Sequence, residues 1–189
     1  MDGESSDEAL MLAYRDGDSR AFESLYTRHK APLYRYLVRQ CREPAVAEEL
    51  FQDVWMNLIR ARTRYEVQAR FTTYLYRMAH NRLIDHYRRG RSGVPLSYDD
   101  DPDDPLMERI AGPDAMQPDV QTDRARDVQR LLALLAELPE AQREAFLLRE
   151  EAGLTLEQIA EATGVPPETT KSRLRYAVAK LRQGMETGD

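Results

Sequence analysis

Residues 154–183 read LTLEQIAEATGVPPETTKSRLRYAVAKLRQ, and this stretch decides the fold. Thr155 can cap a short helix that carries Ile159 and Ala160, because its hydroxyl can accept from a free amide of the first turn. Gly164 permits the sharp turn that ends that helix, and Val165 plugs the angle behind it. Pro167 suits the first position of a second helix, where a missing N–H costs nothing. Pro166 stands at the cap position and offers no side-chain acceptor, a loss of about 1 kcal/mol. In the second helix Thr170, Leu174, Ala177, Val178 and Leu181 form one apolar stripe. Lys171, Ser172, Arg175 and Arg182 point elsewhere, with Arg173 and Tyr176 on the flanks. Two helices about a glycine turn, the second basic on its outer face, make a helix-turn-helix suited to the major groove of DNA. An αα-hairpin with a solvated basic face is the bland alternative.

Upstream, Val128, Leu131, Leu132, Leu135 and Leu138 make another helical stripe, interrupted by Pro139, and Ala145, Phe146 and Leu148 belong to the next helix. Residues 92–123 break every pattern, with five prolines, two glycines and nine acids against Arg109. Such a stretch repels itself and has few apolar anchors, so it is expected to be an extended acidic linker. Before it, residues 9–90 read as helices. Phe22, Leu25, Tyr26, His29, Leu33 and Leu37 recur at helical steps, Asp18 can cap that helix, Pro44 suits a first helical position, and Gly90 can close the last helix in a left-handed conformation. No strand-type alternation and no internal repeat are visible. The expected fold is all-α: a flexible start (1–8), one helical domain (9–91), the linker (92–123), a second helical domain (124–183) and a flexible tail (184–189).

The 189 residues carry a net charge of −6, which taken alone argues against nucleic acid. The distribution argues otherwise. Residues 60–91 hold nine arginines against Glu66 and Asp85, a local +7, and residues 168–182 hold five basic groups against Glu168, a local +4. No apolar run approaches a membrane span, the acidic N-terminus is no signal peptide, and Cys41 is alone, so a reducing cytoplasm is expected. His80, Asp85 and His86 do not share one side of a helix, and neither a metal nor a cofactor is expected.

In AVAEELFQDVWMNLIR (45–60), Ala47, Leu50, Phe51, Val54 and Leu58 cluster as the core face. The far side carries Glu48, Glu49, Gln52, Asp53, Trp55, Met56 and Ile59. Acids mixed with large apolar groups suggest docking on a basic protein partner. Packing of Trp55 and Ile59 against a neighbouring helix is an equally open reading. In RYEVQARFTTYLYRMAHNRLIDHYRRGR (64–91), Thr72 or Thr73 can cap the helix. Leu75, Ala79, Leu83 and His86 point inward, while Tyr74, Arg77, Asn81 and Arg88 point outward. Rings interleaved with arginine and an amide suit unpaired bases and their phosphates. Phe71 and Tyr76 can equally be core.

These stretches resemble the extracytoplasmic-function sigma factors, the minimal sigma subunits of bacterial RNA polymerase. AEELFQDVWMNL (47–58) resembles the family's polymerase-binding helix. FTTYLYRMAHNRLIDHYRR (71–89) resembles its melting and −10 recognition segment. LPEAQREAFLLRE with the helix-turn-helix (138–182) resembles its −35 reading region. The resemblance implies a non-enzymatic subunit that binds core polymerase through Glu49, Gln52, Asp53, Trp55 and Met56. It implies that Arg64, Tyr65, Phe71, Tyr74, Arg77, Asn81 and Arg88 contact the single-stranded −10 element, the loop at 64–73 capturing an extruded base. It assigns Lys171, Ser172, Arg173, Arg175 and Tyr176 to the duplex −35 element, and it implies an anti-sigma factor as a further partner. Two rivals are a stand-alone helix-turn-helix regulator, which would not need the acid-and-tryptophan face, and a small nuclease using Asp85 with His80 or His86, which lacks convergent carboxylates.

Overall fold

The computed structural model describes residues 5–90 and 123–187, and among them every regular element is a helix. The N-terminal block comprises α1 (Asp7–Arg15), α2 (Ser19–Cys41), α3 (Pro44–Ala61), a 3-10 turn (Arg62–Arg64) and α4 (Phe71–Gly90). The C-terminal block comprises α5 (Asp123–Glu137), α6 (Glu140–Glu150), α7 (Leu156–Thr163) and α8 (Pro167–Glu186). The expected linker lies, up to residue 122, outside the described residues; Asp123 already opens α5.

Local chemistry accounts for most boundaries. The Asp18 carboxylate accepts from the Arg20 N–H at the start of α2, and Pro44 opens α3. Arg42, at φ 62°, ends α2 in the left-handed region. Pro32 sits inside α2 without ending it. Three expectations need correction. Gly90 stays within α4 and has no left-handed backbone. The flexible start does not extend to residue 8: Ser6 caps α1, and Asp7 accepts from Arg28 (2.8 Å) and contacts His29 (2.7 Å). At the other end, α8 continues past residue 184. Gly184 lies so close to α5 that a Cβ there would stand 2.5 Å from Leu134 Cδ2.

The core is not divided block by block. One apolar cluster takes Met11, Leu25, Leu33, Leu37, Leu50, Val54, Leu58, Leu75 and Leu83 from α1–α4, and with them Leu147, Leu148, Ile159 and Ala162 from α6 and α7. A smaller cluster joins Leu135 and Leu138 to Ala177 and Leu181 of α8, with Phe146 beside it. Helix α6 is therefore enclosed between α8 and α2, and its polar residues Gln142, Arg143 and Glu144 are buried with its apolar ones. Arg143 is 2% exposed and Glu144 is 1% exposed. A buried charge has to be met by hydrogen bonds. Arg143 donates to the carbonyls of Ala136, Leu138 and Gln40, and Glu144 accepts from the Tyr36 hydroxyl (2.7 Å) and contacts His80 Nδ1 (2.7 Å).

Candidate polymerase and nucleic-acid interfaces

Helix α3 buries Ala47, Leu50, Val54 and Leu58 and turns Glu48, Glu49, Gln52 and Asp53 to solvent. Met56 is 45% exposed beside them. Trp55 departs from the far-side position that helical geometry assigned it. It is 5% exposed, with its ring edge-on to Phe22, Tyr26 and Phe51 at centroid distances of 5.0–6.2 Å. The physical reason is its neighbour α2, whose aromatic residues reach around α3 and widen the buried arc. What remains outward is an acidic strip with one methionine.

The second surface is built on α4. Arg64, Arg77, Asn81 and Arg88 are exposed, and Tyr74 is partly buried. Tyr65 and Phe71, assigned to the −10 strand, are buried at 3% and 0% exposure. The Tyr65 ring packs on Tyr74 (5.2 Å) and Phe71 packs on His29 (5.2 Å). Desolvation pushes the Tyr65 hydroxyl up to about 12, so it stays neutral. These two rings anchor the ends of the 65–71 segment, and the residues it presents to solvent are Glu66, Val67, Gln68 and Arg70. Helix α1 braces the same segment: Arg15 donates to the Tyr65 carbonyl (3.3 Å), and Glu8 accepts from the Phe71 N–H (2.8 Å). The expected cap from Thr72 or Thr73 is thus supplied by Glu8, and Thr73 is fully buried. His86, expected inward, is only partly buried.

The third surface is the helix-turn-helix. Thr155 Oγ1 accepts from the Gln158 N–H (3.2 Å), and Gln158 Oε1 accepts from the Thr155 N–H (2.9 Å), a reciprocal capping box that starts α7. Gly164 ends it at φ 71°, and α8 opens on Pro167 with no side-chain cap. Lys171, Arg175 and Tyr176 are exposed and Ser172 is partly so, the Arg175 guanidinium lying 5.2 Å from the Tyr176 ring centroid. Arg173 is different: it is 8% exposed and faces inward. Val178, placed in the buried stripe, is 37% exposed, and with Leu156, Leu174 and Ala179 it floors a trough of about 390 Å³ flanked by Lys171, Arg175 and Arg182. Because the box fixes the start of α7, Thr155→Ala should lower stability by about 1 kcal/mol, seen as a reduced midpoint in urea unfolding. A variant as stable as the parent would mean that water caps this helix equally well.

Among the described residues no group of three or more His, Cys, Asp or Glu could hold a metal ion, and no helix is long and apolar enough to cross a membrane. The profile of Sigma-70 region 2 matches residues 25–93, and that of Sigma-70 region 4 matches residues 128–181. The chain is 32% identical to the RNA polymerase sigma factor CarQ of Myxococcus xanthus over 173 residues, which are 92% of this chain and 94% of that protein. It is 35% identical to the ECF RNA polymerase sigma factor RpoE of Cereibacter sphaeroides, over 94% of this chain and 93% of the relative. In fold it is similar to CnrH bound to the cytosolic domain of CnrY, with a TM-score of 0.69 at 18% identity over 98% of this chain and 100% of that one. It is also similar to the sigma factor RpoE bound to the anti-sigma factor NepR from Bartonella quintana, with a TM-score of 0.67 at 20% identity over 90% of this chain and 99% of that one. A chain that matches Sigma-70 regions 2 and 4, and that exposes an acidic strip on α3 beside two separate basic surfaces, is a transcription-initiation subunit. The chain belongs to the extracytoplasmic-function sigma factors of bacterial RNA polymerase. It directs polymerase to promoters rather than acting as a stand-alone regulator.

Proposed function

We propose that this sigma factor docks on core polymerase through Glu49, Gln52, Asp53 and Met56 of α3. In this reading the N-terminal block, from α1 to α4, forms the docking and −10 domain, with Arg64, Tyr74, Arg77, Asn81 and Arg88 facing the single strand. The C-terminal block, from α5 to α8, forms the −35 domain, with Lys171, Ser172, Arg175 and Tyr176 facing the groove. The observation that carries the reading is that the exposed faces of α3 and α8 are opposite in charge and each is backed by its own buried stripe. Tyr65, Phe71 and Arg173 act from behind, holding the reading residues in place. The chain works in the cytoplasm, without catalysis, metal or cofactor, and an anti-sigma factor holds it inactive. That last point is supported by the two similar folds, which were solved with CnrY and with NepR.

Transcription by core polymerase on a library randomised at both promoter elements tests the whole assignment. No transcript above the core-only background would overturn it. Within that experiment Arg175→Ala should relax base preference at one −35 position, at a cost of about 1–3 kcal/mol, because Arg175 lies one turn beyond Lys171 on the exposed face. A uniform weakening on all sequences would reassign Arg175 to phosphate, and a change confined to the −10 element would show the two surfaces to be exchanged.

A further inference from the structure

Helix α1 holds the 65–71 segment at both of its ends. Arg15 donates to the Tyr65 carbonyl (3.3 Å), and Glu8 accepts from the Phe71 N–H (2.8 Å). Glu8 and Arg15 stand about two turns apart on one helix, about 10 Å along its axis, so they act as two brackets on one strut. The strut is itself fixed. Met11 and Tyr14 are buried in the core, Asp7 pairs with Arg28 (2.8 Å) and contacts His29 (2.7 Å), and the Arg62 guanidinium lies 5.3 Å from the Tyr14 ring centroid. Between the brackets the chain makes a three-residue turn, in which the Gln68 N–H donates to the Glu66 carbonyl (3.0 Å). Val67, at the apex of that turn, is 52% exposed, and Glu66, Gln68 and Arg70 are exposed beside it.

A short exposed segment with free ends samples many conformations. Ordering it at the moment of binding would subtract from affinity and blur the choice of base. A segment held in advance loses little more when DNA arrives. We propose that Glu8 and Arg15 are positioning residues for the −10 strand. They hold residues 66–70 in the conformation that selects bases, and they touch no DNA themselves. Through the Phe71 N–H, Glu8 also fixes the first turn of α4, and with it Tyr74, whose ring packs on Tyr65 (5.2 Å). The proposal rests on the reading that this end of α4 faces the single strand.

The test is transcription by core polymerase with the full chain on a library randomised at both promoter elements, beside hydrogen exchange of the free chain. Glu8→Ala and Arg15→Ala should each flatten base preference within the −10 element about fivefold, the worth of one hydrogen bond. Preference at the −35 element and affinity for core polymerase should not change. The double variant should be no worse than the poorer single one, because losing either bracket frees the same segment. Glu8→Gln keeps an acceptor for the Phe71 N–H and should retain most of the preference. In the free chain, amide exchange across residues 66–71 should rise in both single alanine variants and in the double one. A folded alanine variant with parental −10 preference would overturn the proposal, as would equal losses at both elements or losses that add in the double variant. Should Glu8→Ala lose helicity, Arg15→Ala decides, since it removes no helix cap. A wild-type chain without −10 preference would sink the sigma reading instead, and exchange in the free chain would still show whether the clamp exists.

Discussion

Reversing Glu49 and Asp53 together to arginine should weaken binding to core polymerase by at least ~100-fold, about 3 kcal/mol, and leave the fold untouched. Both side chains are exposed on α3, so nothing inside the molecule depends on their sign. At a docked interface they would face basic groups, and reversal would replace two attractions with two repulsions in a partly desolvated setting. The measurement is association of a labelled chain with core polymerase, beside circular dichroism of the same sample. Binding within a few-fold of the parent, by a well-folded double variant, would remove α3 as the docking helix. Trp55→Ala is the control of opposite kind. It opens a hole among Phe22, Tyr26 and Phe51, so it should cost about 3–5 kcal/mol of stability, and any loss of binding should follow from that.

Arg143→Ala should be the most damaging single change in the C-terminal block. The guanidinium lies where two helices end: it reaches the Gln40 carbonyl in the last turn of α2, and the Ala136 and Leu138 carbonyls at the end of α5. Carbonyls at a helix C-terminus lack intrahelical partners and carry the negative end of the dipole, so a buried cation answers both needs. Its loss leaves enclosed acceptors unpaired and a cavity beside them, a cost of about 3 kcal/mol or more. For a body of this size that is a drop of roughly 6–12 °C in melting temperature. Arg143→Lys should fall between, since one ammonium cannot span three carbonyls as a planar fork can. An unchanged melting temperature in Arg143→Ala would show that water satisfies those carbonyls without help.

What could be read in advance follows from how local its cause is. The start and end of α7, the proline at the start of α8 and the Asp18 cap depend on residues within one turn, and each stands where the sequence places it. The all-helical class was legible for the same reason. Errors arise wherever a distant segment supplies the environment. Trp55 is buried by aromatic residues of α2, and Phe71 sits at α4's first turn, whose cap comes from Glu8. Gln142, Arg143 and Glu144 are polar by residue type and nothing local marks them as buried, yet α6 is covered on both sides. Arg173 sits among outward basic residues in sequence and turns inward in space. Glu48, Glu49, Gln52 and Asp53 are exposed as their helical positions indicate, because solvent exposure of charge needs no partner to explain it.

The bond from Glu8 to the Phe71 amide spans 63 residues of chain. During synthesis at roughly 5–20 residues per second, Glu8 leaves the ribosome about 3–13 s before the amide it will hold. For that interval α1 exists without the helix it caps, and the 65–71 segment is not yet braced from either end. The N-terminal bundle therefore closes on its oldest residues last. A nascent chain arrested before residue 71 would expose the α1 face that the finished protein hides, and the first helix matures only when the fourth has been made.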